Sequence, residues 1–382
     1  MARLRRALAE SPTLAIFLST RAALWIAAVF ALLAFVPNRN PNADRWDSAR
    51  LHELGYGIDV WARWDSDWYL RIAAEGYADR PSSTPAFFPL YPGLVALLGR
   101  ALLGHYVLAG VLVSLAGCAV AFSLLHRLAL PKLGPEAAGR ALLYLAVFPT
   151  ALFLQAAYSE SLYLALALGC FLLAEQGRFL GAGALAGLAM LTRPVGIALL
   201  PALALLAWRR PRRGRSLAEL AISLPIAALY PLLLGIWIGE PFAFLRAQEG
   251  IWERSLSWAG PFGGLWQGVA AIWNTVPARD LALNIQQLAF TLLFLVLSGV
   301  AWRRLGAPYG LFALLSLSIP LSFPAERMPL LSMSRFGLVV FPLVLALSVL
   351  GSRRRAHEAI VAISSVLLGV AVVQWALWQW VA

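Results

Sequence analysis

The segment at residues 61–77, WARWDSDWYLRIAAEGY, combines two aspartates with five aromatic rings in an otherwise apolar chain. If the segment forms one helix, Trp61, Asp65 and Trp68 fall within an arc of roughly 100°. A carboxylate placed among aromatic rings loses contact with water, and this makes it a better proton acceptor. Asp65 is therefore a candidate general base. The alternative is a helix that lies at a membrane surface and is anchored by its aromatic residues.

The second aspartate of this segment, Asp67, falls on a different face of the same predicted helix. Arg63 lies four residues before it and Arg71 four residues after it, at the spacing where opposite charges pair. We therefore predict that Asp67 forms an exposed structural ion pair. Asp65 and Asp67 do not face each other on a helix, so they do not form the converging carboxylate pair of a glycosidase.

The composition of the whole chain indicates a membrane protein. Of its 382 residues 60% are hydrophobic and 13% are charged, whereas soluble domains average about 25% charged residues. Apolar runs about twenty residues long recur along the chain, as in polytopic helical proteins. The net charge of +12 alone is compatible with nucleic acid, but its distribution indicates contact with membrane lipids. We expect no nucleic-acid partner.

These runs predict an all-α protein with one integral membrane domain over residues 1–382. Residues 37–104 form a long external loop that carries the candidate base. The apolar run 180–208 is expected to form two short helices broken at Thr192–Pro194, since the charges on both of its flanks lie on one side. The predicted spans are 13–36, 105–126, 139–157, 161–176, 180–208, 216–238, 281–302, 307–323, 334–350 and 358–380.

The charges between these spans predict the orientation of the chain. With a cytoplasmic N-terminus, the cytoplasmic segments hold 17 of the 31 basic residues and 5 of the 19 acidic residues. The external segments hold 12 basic and 14 acidic residues. This asymmetry follows the positive-inside rule and places the 37–104 loop outside.

Further polar residues stand at the predicted external ends of spans. The motif AAYSES carries Tyr158 and Glu160 at a tight turn, FFPLYP carries Tyr91, and SMSRF carries Arg335. Arg193 lies inside a span beside a proline, where a charge is costly without a partner. The four histidines and two cysteines are scattered without metal-ligand spacing, so we predict no dedicated metal site.

Five motifs follow one another along the chain: RWDSDWYLRIAAEGY, AFFPLYP, FPTALFLQAAYSESLYLA, LTRPVGIALLP and SMSRFGLVVFPL. Together they resemble bacterial relatives of the class V phosphatidylinositol-glycan mannosyltransferases. The resemblance implies a C-type glycosyltransferase fold and a polyprenyl-phosphate-linked sugar donor. It also implies that the aspartate of the Trp64–Asp65 pair is essential and that Asp67 occupies a variable position. Trp68 stands where the eukaryotic pattern has a histidine, so the eukaryotic acceptor is not carried over.

We therefore expect an inverting mannosyltransferase of the plasma (inner) membrane whose active site faces outside. Asp65 would take the proton of the acceptor hydroxyl, and Arg335 and Arg193 would converge near it to hold the donor phosphate. The acceptor would be a lipid-linked or glycan hydroxyl. The other expected substrate-binding residues are Trp64, Tyr69, Tyr91, Tyr158 and Glu160.

No cofactor is required for this chemistry, although a divalent metal would be compatible with it. Two alternatives stay open from the sequence. One is a transporter or flippase of a lipid-linked sugar, which would tend to show internal repeats and polar groups near the midplane. The other is a non-catalytic membrane scaffold.

Cysteine labelling tests the predicted orientation. A cysteine introduced at Ser82 should react with an impermeant reagent added to intact cells, because the 37–104 loop is predicted to lie outside. A cysteine at Gly214, within the basic segment RRPRRGR, should react only after the cells are opened. Labelling at position 214 in intact cells would show that the orientation is wrong.

Overall fold

The structure, a computed structural model, describes residues 12–38, 46–80, 82–275 and 278–381. The long apolar runs form helices because a helix satisfies its own backbone hydrogen bonds in a bilayer. The α-helices are α1 Pro12–Ala34, α2 Tyr56–Asp59, α3 Ser66–Glu75, α4 Leu90–Ala101, α5 Tyr106–Leu133, α6 Pro135–Ala146, α7 Glu160–Glu175, α8 Phe179–Met190, α9 Leu199–Trp208, α10 Arg213–Leu220, α11 Ser223–Ile238, α12 Ala243–Trp252, α13 Pro261–Asn274, α14 Ala278–Leu305, α15 Ala307–Ser322, α16 Met333–Leu338, α17 Phe341–Leu350 and α18 Arg354–Ala376. Short 3₁₀ turns occur at Ala49–Leu51, Thr84–Ala86, Ala151–Leu154 and Pro194–Ala198.

The predicted all-α class is confirmed in the described ranges, where no strand forms and a single isolated bridge joins Arg254 to Ala325. The long loop carries short helices, as predicted. Residues 39–45 and 81 of that loop lie outside the described residues. The same is true of residues 1–11, on which the prediction of a cytoplasmic N-terminus depends.

Five helical stretches in the described residues are long and apolar enough to cross a membrane. They coincide with half of the ten predicted spans: Thr13–Ala34, Tyr106–Leu133, Arg213–Ile238, Ala278–Leu305 and Arg354–Ala376. Of the other five predicted runs, 161–176 and 307–323 correspond to the helices Glu160–Glu175 and Ala307–Ser322. The prediction is wrong for 139–157 and 334–350, which are interrupted. The chain is nevertheless a multi-pass helical protein by length and composition.

Prolines explain why two of the predicted spans are interrupted. In the run 139–157, α6 ends at Ala146, and the chain returns to helical turns only after Pro149. In the run 334–350, a break separates α16 from α17 just before Pro342. A proline lacks an N–H donor and disfavours a helical conformation in the preceding residue. The break predicted within 180–208 is confirmed, since α8 ends at Met190.

The chain divides into two compact units. Among the described residues, the first unit comprises those up to Gly76 together with Pro89–Leu172 and Leu347–Val381, and the second comprises those within Tyr77–Phe88 and Leu173–Ala346. The external loop of the sequence prediction thus contributes to both units. The expected single integral membrane domain stays a prediction.

In the first unit, a buried arginine of α1 supports the break that follows α6. The Arg21 guanidinium donates hydrogen bonds of 3.0 Å to the carbonyl oxygens of Ala146 and Ala151. Carbonyl groups at a helix end lack partners within the helix. Arg21, only 4% exposed, supplies those partners, and this accounts for a charged residue inside a predicted span.

Small residues bring α5 of the first unit close to the turn that carries Tyr158. A Cβ atom at Gly110 would lie 2.9 Å from the Ala157 side chain, and one at Gly117 would lie 3.0 Å from the Leu162 nitrogen. Glycine at these positions lets the two backbones approach each other, as small residues commonly do in membrane helices. The turn is therefore held against α5.

In the second unit, α16 is fixed against α14. A Cβ atom at Gly337 would collide with the Phe294 ring, so only glycine allows this approach. The Gln287 side chain donates to the Ser334 hydroxyl at 3.1 Å and accepts from the Ser334 N–H at 2.8 Å. These contacts determine where the next residue of α16, Arg335, lies.

Candidate active site

The candidate base lies in a turn that precedes α3. The helix runs from Ser66 to Glu75, so the prediction that residues 61–77 form one helix is wrong for residues 61–65 and 76–77. Trp64 has φ +52°, a left-handed conformation that costs a non-glycine residue about 1–2 kcal/mol. Asp65 follows as the N-cap residue, and its side chain is almost fully buried.

Tyr158 connects this turn to the turn that precedes α7. Its hydroxyl oxygen accepts a 3.0 Å hydrogen bond from the Asp65 N–H and donates a 3.1 Å bond to the Arg63 carbonyl oxygen. A further bond of 2.8 Å joins the Ala157 N–H to the Trp61 carbonyl oxygen. The observed contacts of Tyr158 thus fix the backbone on both sides of Trp64. Its predicted substrate-binding role stays a prediction.

Two more of the predicted site residues lie beside Tyr158. The Tyr69 ring centroid lies 6.1 Å from that of Tyr158 and 5.0 Å from that of Tyr91. The Tyr69 hydroxyl is 2.8 Å from the Ser159 hydroxyl. Tyr91 is fully buried, and its hydroxyl is 3.0 Å from that of Ser114.

The first unit therefore brings together most of the residues that the sequence singled out. Glu160, next to Ser159, is also fully buried, in the first turn of α7. The residues that the first unit contributes are Trp64, Asp65, Tyr69, Tyr91, Tyr158 and Glu160. Their roles toward substrate stay predictions.

The neighbouring aspartate, Asp67, is buried in an ion-pair network. Its carboxylate lies 3.1 Å from the Arg50 Nε and 3.7 Å from an Arg71 nitrogen, and it accepts a hydrogen bond from the Ser48 hydroxyl. The predicted structural ion pair with Arg71 is confirmed. The prediction that this pair is exposed is wrong, because Asp67 is only 2% exposed.

Arg63, the other predicted partner of Asp67, makes different contacts in the structure. It precedes α3, so the helical spacing of four residues does not apply to it. Its guanidinium lies 4.4 Å from the Trp378 ring centroid and donates to the Asp59 carbonyl oxygen. Burial lowers the pKa of Arg63 to about 10, opposed by the charges of Asp47 and Asp59, and the group stays protonated at neutral pH.

Trp64 is enclosed by three tryptophans that the sequence analysis did not connect with it. The ring centroids of Trp46, Trp378 and Trp380 lie 6.1, 5.6 and 5.4 Å from that of Trp64. We refer to these four residues as the tryptophan clamp. Trp378 and Trp380 follow α18, far from the aspartate turn in sequence, so no local spacing indicates the contact.

In the second unit, three arginines surround one aromatic ring. The guanidinium carbons of Arg193, Arg254 and Arg335 lie 5.7, 5.5 and 5.6 Å from the Phe336 ring centroid. We refer to the three arginines as the arginine cluster. Arg193 and Arg335 are predicted site residues that the structure brings together, whereas Arg254 was missed by the sequence analysis.

The three arginines differ in their hydrogen bonds and in their exposure. Arg254 donates to the carbonyl oxygens of Phe323 at 3.1 Å and Leu331 at 2.8 Å. Arg335 is held within α16 and is 8% exposed, whereas Arg193 is half-buried at the break after α8. The expected convergence of Arg193 and Arg335 on Asp65 stays a prediction, since Asp65 belongs to the other unit.

The described residues contain no group of three or more histidine, cysteine, aspartate or glutamate side chains arranged to hold a metal ion. The expectation that the chemistry requires no metal stays a prediction, because it concerns the reaction rather than the protein alone.

The helices and the sequence motifs described above are characteristic of membrane glycosyltransferases. The family model described as Mannosyltransferase (PIG-V) matches residues 54–246, just over half of the chain. The chain belongs to this family, as the sequence resemblance predicted. Family membership supports a membrane glycosyltransferase and agrees with the implied C-type fold.

No curated protein shows significant sequence similarity to the chain. Among solved structures, the chain is similar to the oligosaccharyltransferase of Archaeoglobus fulgidus in its apo form, with 13% identity and a TM-score of 0.42. The similarity covers 96% of this chain and 56% of that protein, so the chain spans little more than half of its length.

Replacing Asp67 tests the buried ion-pair network. Asp67→Asn should lower the free energy of unfolding by about 2–3 kcal/mol, because Arg50 and Arg71 lose a buried anionic partner. Glu75→Gln is the matched control, since Glu75 pairs with the same arginines but is 39% exposed in its side chain. The control should cost about 0–1 kcal/mol. Equal losses in thermal or denaturant unfolding of the purified variants would contradict the assignment.

Proposed function

We propose that the chain is an inverting mannosyltransferase. It moves a mannosyl group from a polyprenyl-phosphate donor to a hydroxyl of a lipid-linked or glycan acceptor. Membership of the mannosyltransferase family supports sugar transfer by a membrane enzyme. The observation that carries the proposal is the position of Asp65, which is buried in a turn whose backbone is held by the Tyr158 hydroxyl. Asp67 is neutralised by Arg50 and Arg71, whereas the backbone of Asp65 is fixed by Tyr158.

Asp65 is the proposed general base. As the acceptor hydroxyl oxygen attacks the anomeric carbon, the Asp65 carboxylate takes the hydroxyl proton, and the bond from that carbon to the phosphate oxygen breaks. The electron pair of the broken bond leaves with the polyprenyl phosphate. One displacement inverts the configuration at the anomeric carbon. The burial of Asp65 limits its contact with bulk water, which supports this role.

The arginine cluster is the proposed phosphate site. Guanidinium groups form strong two-pronged hydrogen bonds to phosphate, and they stabilise the charge that develops on the leaving group. Arg335 and Arg193 are proposed to contact the phosphate. Arg254, whose nitrogens already donate to two backbone carbonyls, holds the segment that leads into α16.

We further propose that the enzyme lies in the plasma (inner) membrane with its N-terminus in the cytoplasm and Asp65 outside. The excess of basic residues in the predicted cytoplasmic segments supports this orientation. A lipid-linked donor is consistent with an external active site, because nucleotide sugars are made and kept in the cytoplasm. The remaining proposed substrate contacts are those of Trp64, Tyr69, Tyr91, Tyr158 and Glu160.

Replacing the candidate base gives the direct test. Asp65→Asn keeps the size of the side chain but removes the proton acceptor, so single-turnover transfer should fall on the order of a hundred- to ten-thousand-fold. Donor binding should be unchanged. The assay uses purified protein with radiolabelled polyprenyl-phosphate-mannose and a membrane extract as the source of acceptor.

Asp67→Asn is the matched control in that assay, at a temperature where the variant is folded. It should retain most of the transfer activity, since Asp67 is used in ion pairs. If Asp65→Asn is active, or if only Asp67→Asn loses transfer activity, then Asp65 is not the general base. Movement of the labelled lipid across vesicle bilayers without transfer would favour a flippase.

The arginine cluster predicts a defect in donor binding. Arg335→Lys keeps the positive charge but replaces the two-pronged guanidinium by a single ammonium, so the Kd for the polyprenyl-phosphate donor should rise. Arg246→Lys is the control, because Arg246 is exposed and pairs with Glu240. An unchanged donor Kd in Arg335→Lys would exclude Arg335 from the phosphate site.

A further inference from the structure

Two tryptophans far apart in sequence share an uncommon backbone conformation and contact each other. Trp64 has φ +52° and Trp378 has φ +59°. Their ring centroids lie 5.6 Å apart, with the rings at 70°. Bulky residues adopt this conformation only where their surroundings hold them in it, and such residues concentrate at functional sites. In the first unit, the only other described non-glycine residue with positive φ is Leu103.

The position of the Trp64 ring depends on its aromatic neighbours. Its indole N–H is buried and makes no hydrogen bond within the described residues. Trp378 and Trp380 contact it from one segment of the chain, and Trp46 contacts it from another. Such pairs contribute through ring packing rather than through a directed polar bond. Removing one ring therefore loosens Trp64 directly.

The segment that carries Trp378 and Trp380 is anchored independently of Trp64. The Trp375 indole N–H donates a 2.7 Å hydrogen bond to the Val60 carbonyl oxygen. The Leu377 carbonyl oxygen accepts a 2.9 Å bond from the Asn38 N–H. Trp378 also lies under the Arg63 guanidinium at 4.4 Å. Trp378 and Trp380 therefore contact Trp64 from a segment that is itself held in place by hydrogen bonds.

The conformation of Trp64 determines the direction of the next peptide group. That peptide carries the Asp65 N–H, which donates to the Tyr158 hydroxyl at 3.0 Å. If Trp64 returned to a negative φ, the peptide would rotate and this bond would break. The Asp65 side chain, attached at the same residue, would change direction with it.

We propose that Trp378 and Trp380 are positioning residues for Asp65. They hold Trp64 in its left-handed conformation, and through Trp64 they keep the Asp65 carboxylate in its catalytic direction. This inference rests on the proposed role of Asp65 as the general base. The tryptophans contact Trp64 and Arg63 and take no part in the chemistry themselves.

The first test separates the rate of transfer from donor binding. Trp380→Ala, at a half-buried residue, should reduce kcat about ten- to hundredfold, since small misplacements of a catalytic group have effects of this size. The donor KM should stay within about twofold of wild type. Trp378→Phe, which retains an aromatic ring, should keep more of the kcat than Trp378→Ala. Trp266→Ala, at a residue 72% exposed in the second unit, should leave kcat unchanged.

A double-mutant cycle tests whether the effect passes through Trp64. Glycine adopts left-handed φ freely, so after Trp64→Gly this conformation no longer depends on Trp378 and Trp380. In the Trp64→Gly background, Trp380→Ala should reduce kcat by less than about twofold relative to Trp64→Gly alone. Such non-additivity is expected when one residue acts through the other. Independent, multiplicative effects of the two substitutions would overturn the proposal.

The outcomes separate this inference from the proposed function. If Asp65→Asn is inactive while Trp380→Ala keeps the wild-type kcat, the positioning role is wrong and the general base stands. If Asp65→Asn is active, the proposed base is wrong. A kcat of Trp380→Ala that falls only in proportion to the folded fraction, measured by thermal unfolding, would also overturn the positioning role.

Discussion

The candidate site of the first unit depends on one hydroxyl group, that of Tyr158. It joins the Arg63 carbonyl oxygen and the Asp65 N–H, and so it bridges the single left-handed residue between them. Glycines of α5 make this possible, because they let the Tyr158 turn approach the helix closely. The packing of α5 against the Tyr158 turn therefore helps to determine the direction of the Asp65 carboxylate. The geometry of the candidate site is thus a consequence of how tightly two backbones pack.

The two aspartates of this turn lie in different surroundings, and different roles are proposed for them. Both are buried, so exposure does not distinguish them. They differ in the observed contacts that fix their positions. Asp67 lies among Arg50, Arg71 and Ser48, a network that compensates its burial. Asp65 is placed by its backbone, before the helix begins.

Much of the fold and part of the candidate site could be predicted from the sequence. The features that could not be predicted have physical causes. The helical class and the break near Arg193 follow from apolar runs and a proline, which act locally. The conformation of Trp64 could not be predicted, because left-handed φ normally signals glycine or asparagine and tertiary contacts impose it here. Arg254 and Trp378 were missed because their partners lie far along the chain, where spacing carries no information.

The hydrogen bonds of Arg21 have a consequence for biosynthesis. Its carbonyl partners lie 125 and 130 residues further along the chain, so α1 reaches the membrane before they have been made. An arginine alone at the centre of a membrane helix costs about 2.5–3.5 kcal/mol on insertion scales. The apolar residues of α1 favour its insertion in spite of this cost. Arg21 gains its carbonyl partners only once α6 has been made, so the arrival of α6 stabilises a helix that was inserted much earlier.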